Sequence, residues 1–313
     1  MARDVAHLVR SAADRLVAAG VDSPRTDAEL LLAHAAGLSR NEIATAAVLG
    51  RTLDGPGVED AFEALVARRA DREPLQHLVG RAPFRHLELA VGPGVFVPRP
   101  ETETVAQLAV DEARAVLART GPVLVVDLCT GSGAIALAVA TEVPRSTVHA
   151  VELDAAAFGW AQRNVEEVLG LQDVPPRLTL VRGDARRALS PLDGLCDVVV
   201  SNPPYVPPGA VPKDPEVAHH DPDVALYGLG ADGLEVPRGI AAAAARLLRP
   251  GGLFVMEHAE VQAAAARAMV DDLRAFDPAT TADDLSDRPR MVVARRSESV
   301  RAGAARSMED SRS

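Results

Sequence analysis

Over the first eighty residues the apolar positions recur every three to four places, and from residue 122 onward they arrive in short unbroken runs. Val5, Leu8, Val9, Ala12, Ala13, Leu16 and Val17 outline one helix, closed by Gly20 and a Ser23-Pro24 turn. Further helices are predicted through residues 28–32 to a stop near Gly37, across 41–48, and around Phe62, Leu65 and Val66 beyond the Gly55-Pro56-Gly57 loop. The spacing predicts a small helical bundle, and no nucleophile or metal constellation stands out within it. Residues 84–96 change to short β-like runs punctuated by Gly92-Pro93-Gly94, which predicts a hairpin, followed by a helix over 101–117.

From Pro122 strands and helices alternate. Strands are predicted at 123–126, 147–151, 177–181, 198–200, 253–256 and 291–294, with helices at 134–140, 161–168, 240–248 and 261–273. Residues 207–233 read as a loop. Alternation of this kind makes an α/β protein with a parallel, doubly wound, Rossmann-like sheet, whose ligands bind at the carboxyl ends of the strands. The expected organisation is a helical domain over 1–80, a β-hairpin linker over 81–100, an α/β domain over 101–296 and a disordered tail over 297–313.

Composition narrows the function classes. A chain of 313 residues, 48% hydrophobic and 25% charged, suits two folded domains, and no apolar run reaches membrane-span length. The first residues lack the basic-then-apolar build of a signal peptide, so no membrane association is expected. A net charge of −11 disfavours clamping of DNA or other long nucleic acid. Cys129 and Cys196 are the only cysteines, which excludes a disulfide framework or cysteine zinc cluster and fits a reducing cytoplasm.

Two loops carry the candidate chemistry. Asp127-Leu128-Cys129-Thr130-Gly131-Ser132-Gly133 leaves the first sheet strand and opens a helix, and Glu152 ends the next strand 19 residues after Gly133. Glycines there permit positive φ and close ligand approach, while a carboxylate ending the second strand suits ribose hydroxyls. The order specifies an adenosine-containing cofactor. Gly131-Ser132-Gly133-Ala134-Ile135-Ala136 also satisfies a relaxed dinucleotide pattern, so a nicotinamide or flavin enzyme stays a rival. Asp127 would repel a pyrophosphate and suits a cationic ligand, which favours S-adenosylmethionine; no P-loop signature exists.

The second loop, Ser201-Asn202-Pro203-Pro204-Tyr205, follows a strand predicted to end at the same sheet edge. It suits methylation of a planar, weakly nucleophilic NH2. The Asn202 side-chain oxygen and the Pro203 carbonyl would accept that group's two hydrogens, the prolines would fix the backbone, and Tyr205 would stack on the flat acceptor. Asn-Pro-Pro as a mere stiff turn is the competing reading, weakened by the glycine loop and acid that precede it.

Together these residues resemble the HemK-type (PrmC) release-factor N5-glutamine methyltransferases over residues 5–296. The resemblance is densest at Arg72–His77, at Phe96-Val97-Pro98-Arg99-Pro100-Glu101-Thr102-Glu103, at the two loops and at Leu248-Arg249-Pro250-Gly251-Gly252. It implies methyl transfer from S-adenosylmethionine to the glutamine of the Gly-Gly-Gln motif of peptide-chain release factors, in a protein expected to be a monomer without a metal. By the resemblance Asp127, Cys129, Thr130, Gly131, Ser132, Gly133, Glu152, Asp184, Ala185 and Asn202 line the cofactor. Asn202, Pro203, Pro204 and Tyr205 hold the glutamine amide, with Asn202, Pro203 and Tyr205 catalytic, and Arg99 and Glu101 shape its entrance.

Two departures from the family pattern stand out: Asp221-Pro222 replaces a Glu-Pro pair, and Gly228-Leu229-Gly230 replaces a Gly-Gly pair. Adenine-N6 DNA or RNA methylation, ribosomal-protein glutamine methylation and an inactive cofactor-binding partner of translation factors are the alternatives. His219-His220 beside Asp221 and Asp223 reads as a solvated loop, His258 as a core or rim histidine, and Trp160 as a packing residue.

Overall fold

The computed structural model describes residues 4–53, 55–170 and 177–298. The chain forms two compact units, one of residues 1–81, 91–93 and 211–221, the other of residues 82–90, 94–210 and 222–313. Of the expected tail only Ser297 and Glu298 fall among the described residues.

The smaller unit begins with α1 (Val5–Ala18), α2 (Pro24–Ala36), α3 (Arg40–Val48), α4 (Val58–Ala70) and α5 (Leu75–Val79). Local chemistry sets the helix ends. The Asp4 carboxylate accepts the His7 N–H at 2.6 Å, Ser39 and Glu42 form a reciprocal capping box, and Gly37 stops α2 at φ 65°. Leu8, Leu16, Leu31, Leu32, Ile43, Phe62 and Val66 are fully buried in its core, each contributing about 1.5–3 kcal/mol of burial.

The larger unit opens with a two-stranded sheet, β1 (Arg81–Phe84) and β2 (Leu87–Ala90), and then α6 (Pro100–Thr120). Next come β3 (Val123–Leu128), α7 (Ala134–Glu142), β4 (Ser146–Glu152), α8 (Ala155–Leu169), β5 (Arg177–Arg182) and β6 (Cys196–Ser201). The segment read as a loop contains α9 (Pro215–His220) and α10 (Asp223–Leu226), so His219 and His220 lie on a helix. The last described elements are α11 (Glu235–Leu247), β7 (Leu248–Glu257), α12 (Ala263–Asp271), β8 (Thr280–Asp283) and β9 (Pro289–Arg295).

The main sheet runs β5-β4-β3-β6-β7-β9-β8. β3 to β7 are parallel, but β9 lies antiparallel to both β7 and β8, so the expected all-parallel sheet is mixed. The cause is the short 284–288 connection, which closes a hairpin but cannot make a parallel crossover. Alternate strand residues face two cores. Val125, Val148, Val198 and Val255 pack with α6 and α7, while Val126, Val151, Val199, Phe254 and Met256 pack with α11 and α12. The chain winds from β3 outward through β4 and β5, then returns to β6 beside β3. That reversal leaves a crevice at the carboxyl ends of β3 and β6, where ligands bind in such sheets.

Segment 211–221 folds with the smaller unit, and its Glu216 explains how. Arg69 Nε donates to Asp27 Oδ2 at 2.7 Å and its Nη1 to Glu216 Oε1 at 2.6 Å, while Arg72 Nη2 donates to Glu216 Oε2 at 2.7 Å. Burial disfavours the Glu216 charge, but hydrogen bonds with Asp214, Arg72 and Arg69 outweigh it and hold the carboxyl well below its ordinary range.

Candidate active site

Asp127, the last residue but one of β3, is fully buried. Its Oδ2 accepts from Thr130 Oγ1 at 2.5 Å and from the Ala136 N–H at 3.1 Å, pinning the loop to the first turn of α7. Its Oδ1 is buried and has no partner among the described residues. Burial pushes the Asp127 carboxyl up to about 7 against those two hydrogen bonds.

Gly131 and Gly133 sit at φ 58° and 85°, and the space where a Gly131 side chain would stand is open. Cys129 also has positive φ, at 62°, a conformation that costs a non-glycine residue about 1 kcal/mol or more. Burial pushes its thiol up, which disfavours the nucleophilic thiolate. Ser132 is buried, and its carbonyl accepts from Asn164 Nδ2 at 2.9 Å. Asn164 also pairs with the Ala90 N–H and carbonyl, so one α8 amide ties the glycine loop to β2. An isolated asparagine on a helix gave no sequence signal for this role.

Glu152 ends β4 next to the loop. Its Oε2 accepts the Gly131 N–H and its Oε1 the Asp154 N–H, both at 2.8 Å. Burial raises its pKa, with those backbone hydrogen bonds opposing. Glu152 thus braces the loop, and each of its oxygens keeps a second lone pair for a ligand. Asp184 follows β5 at the same edge, where Arg186 grips it through two nitrogens at 2.8–3.1 Å. That pairing holds its carboxyl below the usual range. Ala185 is buried in the core against β6 and α11 side chains.

Asn202 follows β6, whose register with β3 sets Leu128 opposite Ser201, and Ser201 Oγ bonds the Leu128 carbonyl at 2.6 Å. The two loops therefore leave neighbouring strand ends. Asn202 Nδ2 donates to Thr102 Oγ1 at 3.1 Å. Among the described residues no protein donor is paired with Asn202 Oδ1 or with the Pro203 carbonyl. Pro203 is buried and Pro204 half-buried. The Tyr205 carbonyl accepts from Gln262 Nε2 at 2.8 Å, and its hydroxyl donates to Glu257 Oε1 at 3.1 Å. Gly228 is indispensable to this loop, because a Cβ there would lie 2.7 Å from the Pro204 carbonyl and 1.8 Å from that of Gly233.

Arg99 caps α6 with its guanidinium 5.1 Å from the centre of the Phe96 ring, and Glu101 lies in the first turn. Thr102 beside it donates to Glu257 Oε2 at 2.7 Å. Glu257, at the end of β7, went unnoticed in the sequence. Burial pushes its carboxyl up to about 7, against hydrogen bonds from Thr102 and Tyr205.

These residues fit S-adenosylmethionine. Asp127 Oδ1 is a buried acceptor suited to an ammonium, Gly131 leaves room for close approach, and Glu152 suits hydroxyls. A pyrophosphate would have to meet Asp127.

Comparison with known proteins agrees. Residues 7–80 match the PrmC N-terminal domain model, and residues 98–219 the methyltransferase small domain model. A "Release factor glutamine methyltransferase" of Streptomyces coelicolor is 48% identical over 92% of this chain and 96% of its own. A protein of the same name from Bifidobacterium longum is 44% identical over 93% of this chain and 99% of its own. A "4-amino-L-phenylalanine/4-methylamino-L-phenylalanine methyltransferase" of Streptomyces pristinaespiralis is 39% identical over 85% and 86%.

Proposed function

This chain belongs to the release factor glutamine methyltransferase family, and we propose that it methylates the N5 side-chain nitrogen of the Gly-Gly-Gln glutamine of peptide-chain release factors. It is an S-adenosylmethionine-dependent methyltransferase. When bound, S-adenosylmethionine supplies an electrophilic methyl group on a sulfonium.

One observation carries the reading of the acceptor site. Asn202 spends its NH2 on Thr102, which leaves two oxygens, Asn202 Oδ1 and the Pro203 carbonyl, open to donors. A primary amide presents two N–H donors in one plane and matches that pair. Accepting both hydrogens draws electron density onto an otherwise unreactive nitrogen and fixes its orientation. The Tyr205 ring supports the flat group, while its hydroxyl is committed to Glu257. The amide proton is acidic once the nitrogen is alkylated, so no strong base is required. Asp127, Thr130, Gly131, Ser132, Gly133 and Glu152 hold the cofactor, Arg99 and Glu101 border the acceptor, and the helical unit recognises the protein substrate.

The relative named for an aromatic amine acts on another conjugated NH2, so the acceptor must be identified directly. The protein is incubated with methyl-labelled S-adenosylmethionine and release factors carrying Gly-Gly-Gln or Gly-Gly-Ala. Label confined to the glutamine form is expected, and label on the alanine form, or only on ribosomal protein, nucleic acid or 4-aminophenylalanine, overturns the substrate. Asn202→Ala is expected to lower kcat by about 10²–10³-fold with cofactor binding retained.

A further inference from the structure

We propose that Thr102 and Glu257 are positioning residues that fix which end of the Asn202 amide is offered to the acceptor. The inference rests on the Asn202 reading above and extends it to two groups that touch neither substrate nor cofactor.

Hydrogen-bond polarity makes the argument. An ionised carboxylate only accepts, and a hydroxyl has a single hydrogen to give. Glu257 Oε2 takes the Thr102 hydrogen at 2.7 Å, so Thr102 Oγ1 meets Asn202 with a lone pair. Only the NH2 end of the amide can answer a lone pair, and it does so at 3.1 Å. Rotating the amide by half a turn would set two oxygens against each other, so Oδ1 remains the acceptor. Glu257 Oε1 takes the Tyr205 hydrogen in the same way, keeping that hydroxyl from competing for the Asn202 and Pro203 oxygens.

The backbone holds the three partners at one level. Ser201 pairs with Met256 across β6 and β7, so Asn202 just past the end of β6 and Glu257 at the end of β7 are the next residues along, and Thr102 arrives from the first turn of α6. Thr102 is 5% and Glu257 3% exposed, too little for water to take over an unmade bond. Arg290 on β9, Glu101 on α6 and Tyr205 are charged or titratable groups that act on Glu257. Arg290 favours an ionised Glu257 and burial opposes it, so the accept-only polarity of this carboxylate holds above about pH 7.

The test compares Thr102→Val, which keeps shape without polarity, with Thr102→Ser, which restores the hydroxyl. Thr102→Val is expected to lose about 10²-fold in kcat with S-adenosylmethionine affinity by calorimetry near the parent value, while the unpaired Glu257 oxygen lowers the thermal midpoint. Thr102→Ser is expected to recover most of that loss. Glu257→Gln, which adds an NH2 donor to the relay, is expected to lower kcat similarly and serves if Thr102→Val folds poorly. Thr102→Val added to Asn202→Ala is expected to cost nothing more. A Thr102→Val protein with parental kcat beside an inactive Asn202→Ala protein would overturn the relay and leave the Asn202 reading intact, as would multiplicative losses in the double variant. An active Asn202→Ala protein would instead remove the reading on which the relay rests.

Discussion

Glu152 accepts the Gly131 N–H at 2.8 Å, so the acid at the end of β4 also braces the glycine loop leaving β3. Glu152→Ala is therefore expected to weaken cofactor affinity through both the lost ligand contact and the loosened loop. Titration calorimetry should give a Kd raised at least about tenfold, the equivalent of one charge-assisted hydrogen bond. Glu152→Gln, which keeps one acceptor oxygen, should fall between. Equal affinities in all three proteins would remove Glu152 from the site.

Asp127 makes affinity depend on pH. Its carboxyl is raised from an ordinary 3.8 to about 7, chiefly by burial, and its unpartnered oxygen awaits a cation. A cationic ligand favours the ionised form, so cofactor affinity should fall as pH drops below about 7, and Asp127→Asn should bind weakly with little slope. Stability of the free protein has the opposite dependence. Between about pH 4 and 7 the unfolded chain has released this proton while the native one keeps it, so stability declines as pH rises through that window. Asp127→Asn should gain on the parent by up to a few kcal/mol at pH 8 and little at pH 4, read from urea unfolding. A difference that does not change with pH would refute the assignment.

Leu229 occupies φ 60° where the family pattern has a glycine pair, and its side chain is 48% exposed. Leu229→Gly should stabilise the protein by about 0.5–1 kcal/mol, since the strain removed exceeds the backbone entropy added. Gly228→Ala should do the reverse, because its Cβ meets the Pro204 and Gly233 carbonyls, and it should depress kcat by displacing the Asn202 loop. Thermal midpoints moving the other way would contradict the glycine-pair account.

Arg69→Ala leaves Asp27 and Glu216 buried without the guanidinium between them. A loss of about 3–5 kcal/mol is expected in denaturant unfolding, as for other buried pairs deprived of one partner. A loss below 1 kcal/mol would mean that water replaces the arginine.

Much of the fold was legible because β3, β6 and β7 carry short unbroken apolar runs at 123–126, 198–200 and 253–256, which mark strands covered on both faces. β8 escaped because Thr280–Asp283 is an exposed edge with no apolar period, and α9 and α10 because six and four residues are too few to display one. α8 begins earlier than its apolar pattern suggested, at the Asp154 cap. The two loops were readable since each keeps its chemistry within a few consecutive positions. Thr102, Glu257 and Asn164 were not assigned roles, because their partners lie 100, 155 and 74 residues away and only the folded sheet edge assembles them.

The route of the chain through Glu216 limits how this protein can be taken apart. A fragment ending at Arg81 would carry Arg69 and Arg72 but lack the carboxylate they enclose, which is supplied from beyond the Asn202 loop. The smaller unit is thus discontinuous in the gene, and exchanging it between relatives requires grafting two separated stretches, 1–81 and 211–221, together.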